Sequence, residues 1–177
     1  MPSYVIHICL AEEYARKHKV ENKAEFIEGT IYPDTIKPQP KGITHYSPYW
    51  SSDTNLYEFL LDKKLDCSYN EGYFLHLLAD CIFYNRYFPN HRNVERSLLR
   101  RDFDRISSKL IQKYKVEQIP EVAKKYVIAE EGETVEYHYD KVVTFIEEVS
   151  NYDLHDLAQD ILERKDYHFL IKNVKND

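Results

Sequence analysis

Glycine is nearly missing from this chain: four occur in 177 residues, beside seven prolines. So little turn chemistry disfavours an all-β sandwich, whose many tight turns need such residues. Cysteine is scarce too. Cys9, Cys67 and Cys81 are an odd set without Cys-x-x-Cys spacing, and they suggest reduced thiols in the cytoplasm. No apolar run is long enough to span a bilayer, and no N-terminal apolar stretch follows a basic region as in an export signal. Basic charge is not in excess either. Lys and Arg number 24 against 30 Asp and Glu, a net charge of -6, which gives no global pull toward nucleic acid or an anionic membrane, so stable nucleic-acid binding is not expected. A nucleophile elbow, a glycine-rich phosphate loop and zinc-finger spacing are all absent.

What is present is a chain of ordinary globular composition, 43% hydrophobic, long enough to bury a substantial core as one domain over residues 1–177. Apolar residues recur at helical spacing in most of it. Ile6, Cys9, Leu10 and Tyr14 mark a helix over about 3–18 that ends in the basic "RKHK". A short helix fits "NKAEFIEG", stopped by Gly29. Residues 30–48, "TIYPDTIKPQPKGITHYSP", hold four of the prolines and read as one long irregular loop. Helix resumes after caps at Asp53 and Thr54, and a long apolar helix spans about 70–88, ended by Pro89. An amphipathic helix follows over 93–114, with others at 119–128, 135–150 and 153–165. The fold class expected is all-α, a single domain of about seven helices with one Pro-rich loop.

Within the apolar segment "GYFLHLLADC" two polar residues stand out. His76 and Asp80 are four apart, so on a helix they are neighbours, roughly 5–6 Å between Cβ atoms. Both can reach one cation, whose ligand distances are about 2.0–2.2 Å. A carboxylate buried among Leu77, Leu78, Ile82 and Phe83 is costly without a cation or donors. The plainer account is a core histidine with Asp80 paired to an arginine, Arg86 being close in sequence. In the loop stand Asp34 and His45, and on the first helix His7. Singly, each has an ordinary explanation as turn chemistry, an exposed loop residue or a packed histidine. Together His7, Asp34, His45, His76 and Asp80 offer the donor types that bind zinc or another first-row divalent ion.

The segments "IHICLA", "EFIEGTIYPDT", "THYS", "NLYEFL" and "GYFLHLLADCIFY", taken in that order, resemble the zinc-dependent phospholipase C family, which is related to the single-strand-specific zinc nucleases. The resemblance covers about residues 4–88. It implies a mostly helical domain that hydrolyses phosphoesters with clustered metal ions. By position it implies that Asp34, His45, His76 and Asp80 bind one metal and that Asp80 bridges to a second bound by His7. Two such ions polarise phosphoryl oxygens and lower the pKa of bound water to about 7. Asp34 and Asp80 are then the catalytic carboxylates, Asp34 as ligand, base or both. The cofactor implied is zinc or a similar ion, one or two per chain. The substrate implied is a small phosphoester such as a phospholipid head group or a nucleotide.

The chain departs from the family where a third metal is bound. Asn85, Arg86 and Tyr87 occupy the place of its first histidine, while His155 is followed four residues on by Gln159 and His138 by Val142, so neither makes His-x-x-x-Glu. His91, Asp102, Asp104, His155 and His168 are the residues from which a third site would have to be rebuilt. Met1, Pro2 and Ser3 also stand ahead of His7, where family members can use the mature N-terminal amine as a ligand. Two other readings follow. One is a non-catalytic metal-binding or helical interaction protein derived from that family. The other is an HD-type phosphohydrolase, for which His155–Asp156 is the one adjacent His-Asp pair. Two further features have bland explanations as a solvated face and as core. They are the basic series Arg92, Arg96, Arg100, Arg101, Arg105, Lys109 and Lys113, and the aromatics Tyr46, Tyr49, Trp50 and Tyr57.

Overall fold

The structure, a computed structural model, describes residues 3–35, 41–48 and 53–172. Among them the regular elements are all helical, as expected for an all-α chain. Nine α-helices occur: α1 (Tyr4–Lys17), α2 (Lys23–Thr35), α3 (Lys41–Thr44), α4 (Leu56–Asp62), α5 (Ser68–Ile82), α6 (Arg96–Tyr114), α7 (Glu121–Lys124), α8 (Tyr139–Val149) and α9 (Leu154–Arg164). Two of them, α3 and α7, are single turns, so the helix expected over 119–128 is reduced to four residues.

Two helices form the centre. Every residue of α1 from Tyr4 to Tyr14 is buried, as is every residue of α5 from Gly72 to Ile82. A helix apolar all round belongs inside a bundle rather than on its surface. Amphipathic helices cover this pair. α8 turns Val142, Phe145, Ile146 and Val149 inward, α9 turns Leu154, Leu157, Ala158 and Ile161, and α6 turns Ile106, Leu110 and Tyr114. α1 packs against α2, α5, α6 and α8, while α4 packs against α5 and α9.

The expected stop at Gly29 is overturned. α2 continues through Gly29 and Pro33 to Thr35, so the irregular segment begins later than residue 30, and Asp34 lies in a helical turn. A glycine ends a helix by adopting positive φ, and Gly132 is the one described glycine that does so. Gly29 serves contact instead. A Cβ there would lie 2.0 Å from the Tyr69 carbonyl oxygen, and a Cβ on Gly72 would lie 2.0 Å from that of Phe26. α2 and α5 therefore meet backbone to backbone, which only glycine allows. Pro33 stands in the last turn of α2 and, having no N–H, forgoes one helical bond to the Gly29 carbonyl.

Other boundaries shift for local reasons. Asn55, not Asp53 or Thr54, caps α4, accepting the amide of Glu58. The helix expected over 70–88 changes character at its end. Residues Phe83–Tyr87 form a π-helical turn in which the Phe88 amide donates to the Phe83 carbonyl (2.8 Å), and Asn85 donates its side-chain amide to the Cys81 carbonyl (2.8 Å). No described helix is long and apolar enough to cross a membrane.

Replacing Gly72 or Gly29 by alanine forces α2 and α5 apart. Either change is expected to lower unfolding free energy by about 1–3 kcal/mol, the range for overpacking a core. Urea unfolding checks this, and an unshifted midpoint would contradict the close contact.

Candidate metal centre

The five sequence-picked residues converge. His7 projects from α1, Asp34 from the last turn of α2, His45 from the turn after α3, and His76 and Asp80 from α5. All are buried, at 0% to 4% exposure. The α2–α5 glycine contact has a direct consequence here. It brings the Thr30 carbonyl within 2.7 Å of His76 Nδ1. A carbonyl only accepts, so Nδ1 carries the hydrogen and Nε2 points inward.

His45 is fixed in the same sense. The Thr44 hydroxyl lies 3.0 Å from the Pro33 carbonyl and 3.0 Å from His45 Nδ1. Its single hydrogen goes to the carbonyl, so His45 Nδ1 donates to the hydroxyl oxygen and Nε2 is again the inward atom. The two Nε2 atoms face each other at 3.2 Å. Two lone pairs so placed repel unless a proton or a metal ion lies between them.

Asp80 completes the first group. Its Oδ2 stands 3.4 Å from His45 Nε2 and 3.7 Å from His76 Nε2. A triangle with these sides has a circumscribed radius of about 2.0 Å, the bond length of an ion such as zinc to imidazole or carboxylate. Asp34 Oδ1 lies 3.6 Å from the same His45 nitrogen. The other oxygen of Asp80, Oδ1, faces His7 Nε2 at 3.4 Å. His7 and His76 stack with ring centroids 3.9 Å apart and planes 13° from parallel. Their ligand atoms also fall into a second group with Asp34, all within 4.8 Å of one another. The buried His/Asp cluster could hold a metal ion.

The donor set fits that role better than a purely structural one. Neither oxygen of Asp80 and neither ring nitrogen of His7 has a hydrogen-bond partner, and buried polar groups in native proteins are rarely left so. The arginine alternative is not what the structure contains. Arg86 pairs with Glu148 at 2.6 Å, and Tyr87 donates to the same carboxylate at 2.5 Å. Burial, and the charge of His76 alongside, push the pKa of His7 down to about 4 against the pull of Asp80. Burial also opposes charge on His76, but Asp80, Asp34 and the Thr30 carbonyl outweigh it and raise its pKa above the ordinary imidazole value. Burial would raise Asp80, yet His76 and His7 hold it well below the carboxylate range. Burial thus acts on all three groups, and the carboxylates decide in which direction each imidazole moves.

The residues considered for a third metal are not drawn in. Asp102, fully buried, accepts the backbone amides of Val135, Glu136 and Tyr137 at 2.8–2.9 Å and anchors that loop to α6. His91 bonds the Phe88 carbonyl, His155 bonds Glu71 and His168 bonds Asp166. Neither these residues nor Asp104 belong to the two described ligand groups. The His155–Asp156 pair of the HD-type reading likewise lies outside them, exposed at the start of α9. Cys9 and Cys81 are buried and free, burial raises both thiols, Cys81 to about 12, and neither belongs to the two described ligand groups. Of the aromatics, Tyr46 packs on Phe59 and donates to Asp62, while Tyr49 and Trp50 lie outside the described residues. In the basic series Arg92 pairs with Asp53, Arg105 with Glu130 and Lys113 with Glu147, and Arg100, Arg101 and Lys109 are exposed, as on a solvated helix face. Sequence reasoning missed Thr30, Thr44, Tyr4 and Tyr73, which orient the ligands through backbone contacts that leave no spacing signature.

Comparison with protein-family models, curated proteins and solved structures gives no match for this chain.

Because a metal ion would take the place of a proton on His76, binding is expected to release protons at pH values where His76 is charged. His7, already neutral there, contributes none. A raised His76 pKa means the competing proton is held at lower pH and lost as pH rises, so apparent affinity should climb with pH and then level off. Calorimetric titration with zinc in buffers of different ionisation enthalpy reads this directly.

Proposed function

We propose that this chain is a metal-dependent phosphoester hydrolase that binds one or two first-row divalent ions, zinc foremost, at His7, Asp34, His45, His76 and Asp80. The observation that carries the reading is the pair of imidazole Nε2 atoms, turned to each other at 3.2 Å and both beside Asp80 Oδ2. His45 and His76 serve one ion together with Asp80 Oδ2 and Asp34. His7 serves the other with Asp80 Oδ1. The split of Asp80, one oxygen toward each imidazole group, supports a bridged pair over a lone ion. Bound ions at such a site polarise phosphoryl oxygens and lower the pKa of water, and a pair does so on both sides of the reacting group. The substrate class is a small phosphomonoester or phosphodiester, such as a phospholipid head group or a nucleotide. Asp34 bonds at the end of its helix rather than within a long buried one, which suits it to take or give a proton beside the substrate. The sequence resemblance to the zinc-dependent phospholipase C family supports the same chemistry.

A second reading is favoured by burial. Five ligands at 4% exposure or less suit an ion that is held rather than used, because a catalytic zinc keeps one position open for water. In that reading the chain is a non-catalytic metal-binding protein.

Elemental analysis of untagged protein separates these from each other and from a metal-free fold. One or two ions per chain are expected. Asp80→Ala should lose more metal than any other single change, and His155→Ala none. Bis-(p-nitrophenyl) phosphate and p-nitrophenyl phosphate then report hydrolysis. Turnover that disappears in Asp80→Ala supports the hydrolase. Full metal with no turnover favours the second reading, and no metal after reconstitution removes both.

A further inference from the structure

Each central helix carries a tyrosine one turn before its histidine. The chain reads "YVIH" over Tyr4–His7 and "YFLH" over Tyr73–His76, and residues three apart on a helix share a face. Both tyrosines are nearly fully buried, and both use their hydroxyls in the same way. The Tyr4 hydroxyl donates to the Asp34 carbonyl at 2.6 Å, and the Tyr73 hydroxyl donates to the Thr44 carbonyl at 2.5 Å. Asp34 is itself a candidate ligand, and Thr44 precedes His45 and fixes its tautomer. Each helix therefore supplies one imidazole directly and fastens, by a tyrosine one turn away, the backbone of a ligand that it does not supply.

We propose that Tyr4 and Tyr73 are positioning residues of the metal centre, Tyr4 for Asp34 and Tyr73 for His45. This rests on the metal-binding reading above. The need for such fastening follows from where the ligands sit. His7, His76 and Asp80 are on long buried helices whose own ladders hold them. Asp34 stands at the last turn of α2 and His45 just after the four-residue α3, so their places depend on bonds from outside. The backbone at Tyr46, next to His45, adopts a left-handed φ of 50°, a conformation unfavourable for a side chain of that size unless its surroundings impose it. Tyr73 supplies one such constraint through Thr44. Neither tyrosine touches an ion; burial raises the Tyr4 pKa to about 12 and that of Tyr73 further still, so both remain hydroxyl donors.

The test uses the full chain with zinc and cobalt(II) as probes. Tyr4→Phe and Tyr73→Phe remove only the hydroxyls. Tyr114→Phe, which removes the hydroxyl of another buried tyrosine, one that faces Glu147 at 3.4 Å, is the control. Zinc affinity is measured by competition with a chromophoric chelator, coordination by the cobalt d–d spectrum, and stability by melting of the metal-free protein. Loss of an orienting partner weakens affinity by about 10–100-fold. That loss is expected for Tyr4→Phe and for Tyr73→Phe, with an altered cobalt spectrum, and not for Tyr114→Phe at comparable stability. If the wild type binds zinc and both variants bind equally well, or lose affinity with an unchanged spectrum in proportion to stability, the positioning role is overturned. If the wild type binds neither ion, the metal reading and this one fall together. Should Tyr73→Phe not fold, Tyr4→Phe decides alone.

Discussion

The approach of α2 to α5 at Gly29 and Gly72 is the constraint on which the rest depends. Two helices normally stand 8–10 Å apart because side chains separate them. Here the absence of two Cβ atoms lets backbone meet backbone, since either Cβ would lie 2.0 Å from a carbonyl oxygen. That closeness puts the Thr30 carbonyl on His76 Nδ1 and so selects the tautomer of a histidine in the middle of an apolar helix. It also places the end of α2 against the centre of the bundle, where Pro33 offers its carbonyl to Thr44 and Asp34 turns its carboxylate toward His45. A chain with only four glycines spends two on one helix contact, and the polar cluster is what that contact creates.

The electrostatics of the cluster follow from burial more than from charge. Three imidazoles and two carboxylates in the core face a desolvation cost that few partners offset. The hydrogen bonds available, from Thr30 and Thr44, are used on the outward ring nitrogens. The inward atoms are left to one another. Burial pushes His7 down to about 4, while Asp80 and Asp34 raise His76 against its own burial. These are groups that could accept a doubly charged ion.

Much of this was legible in the sequence, for identifiable reasons. The spacing of His76 and Asp80 sets a shared helix face whatever the tertiary structure, and burial of that face followed from Leu77, Leu78, Ile82 and Phe83. His7 on an apolar helix was legible in the same way. Asp34 was placed in irregular backbone because Gly29 and Pro33 both read as breakers. Neither acts as one, since Gly29 serves a contact 40 residues away in sequence and Pro33 falls in a final turn. Asp102 had the look of a spare ligand, but its role is to collect three backbone amides from a loop over thirty residues distant. Local pattern carries no trace of either contact. The helix over 93–114, whose apolar stripe is regular, was nearly right at both ends.

The ligands divide by how firmly the fold holds them. His7, His76 and Asp80 stand on α1 and α5, whose buried stretches would have to unfold for those side chains to move apart. Asp34 and His45 stand at the ends of short or interrupted elements, where hydrogen bonds from outside, each worth about 0.5–1.5 kcal/mol net, help to place them. An ion shared by both sets would join the weakly held segment to the rigid pair of helices, and its binding energy would become folding energy for that segment. Conversely, without an ion five buried polar groups stand close together with their desolvation to offset. With an ion bound there, metal loading and the closure of this part of the bundle would be one equilibrium, and the burial of the candidate ligands would be a property of the assembled centre rather than of the helices alone.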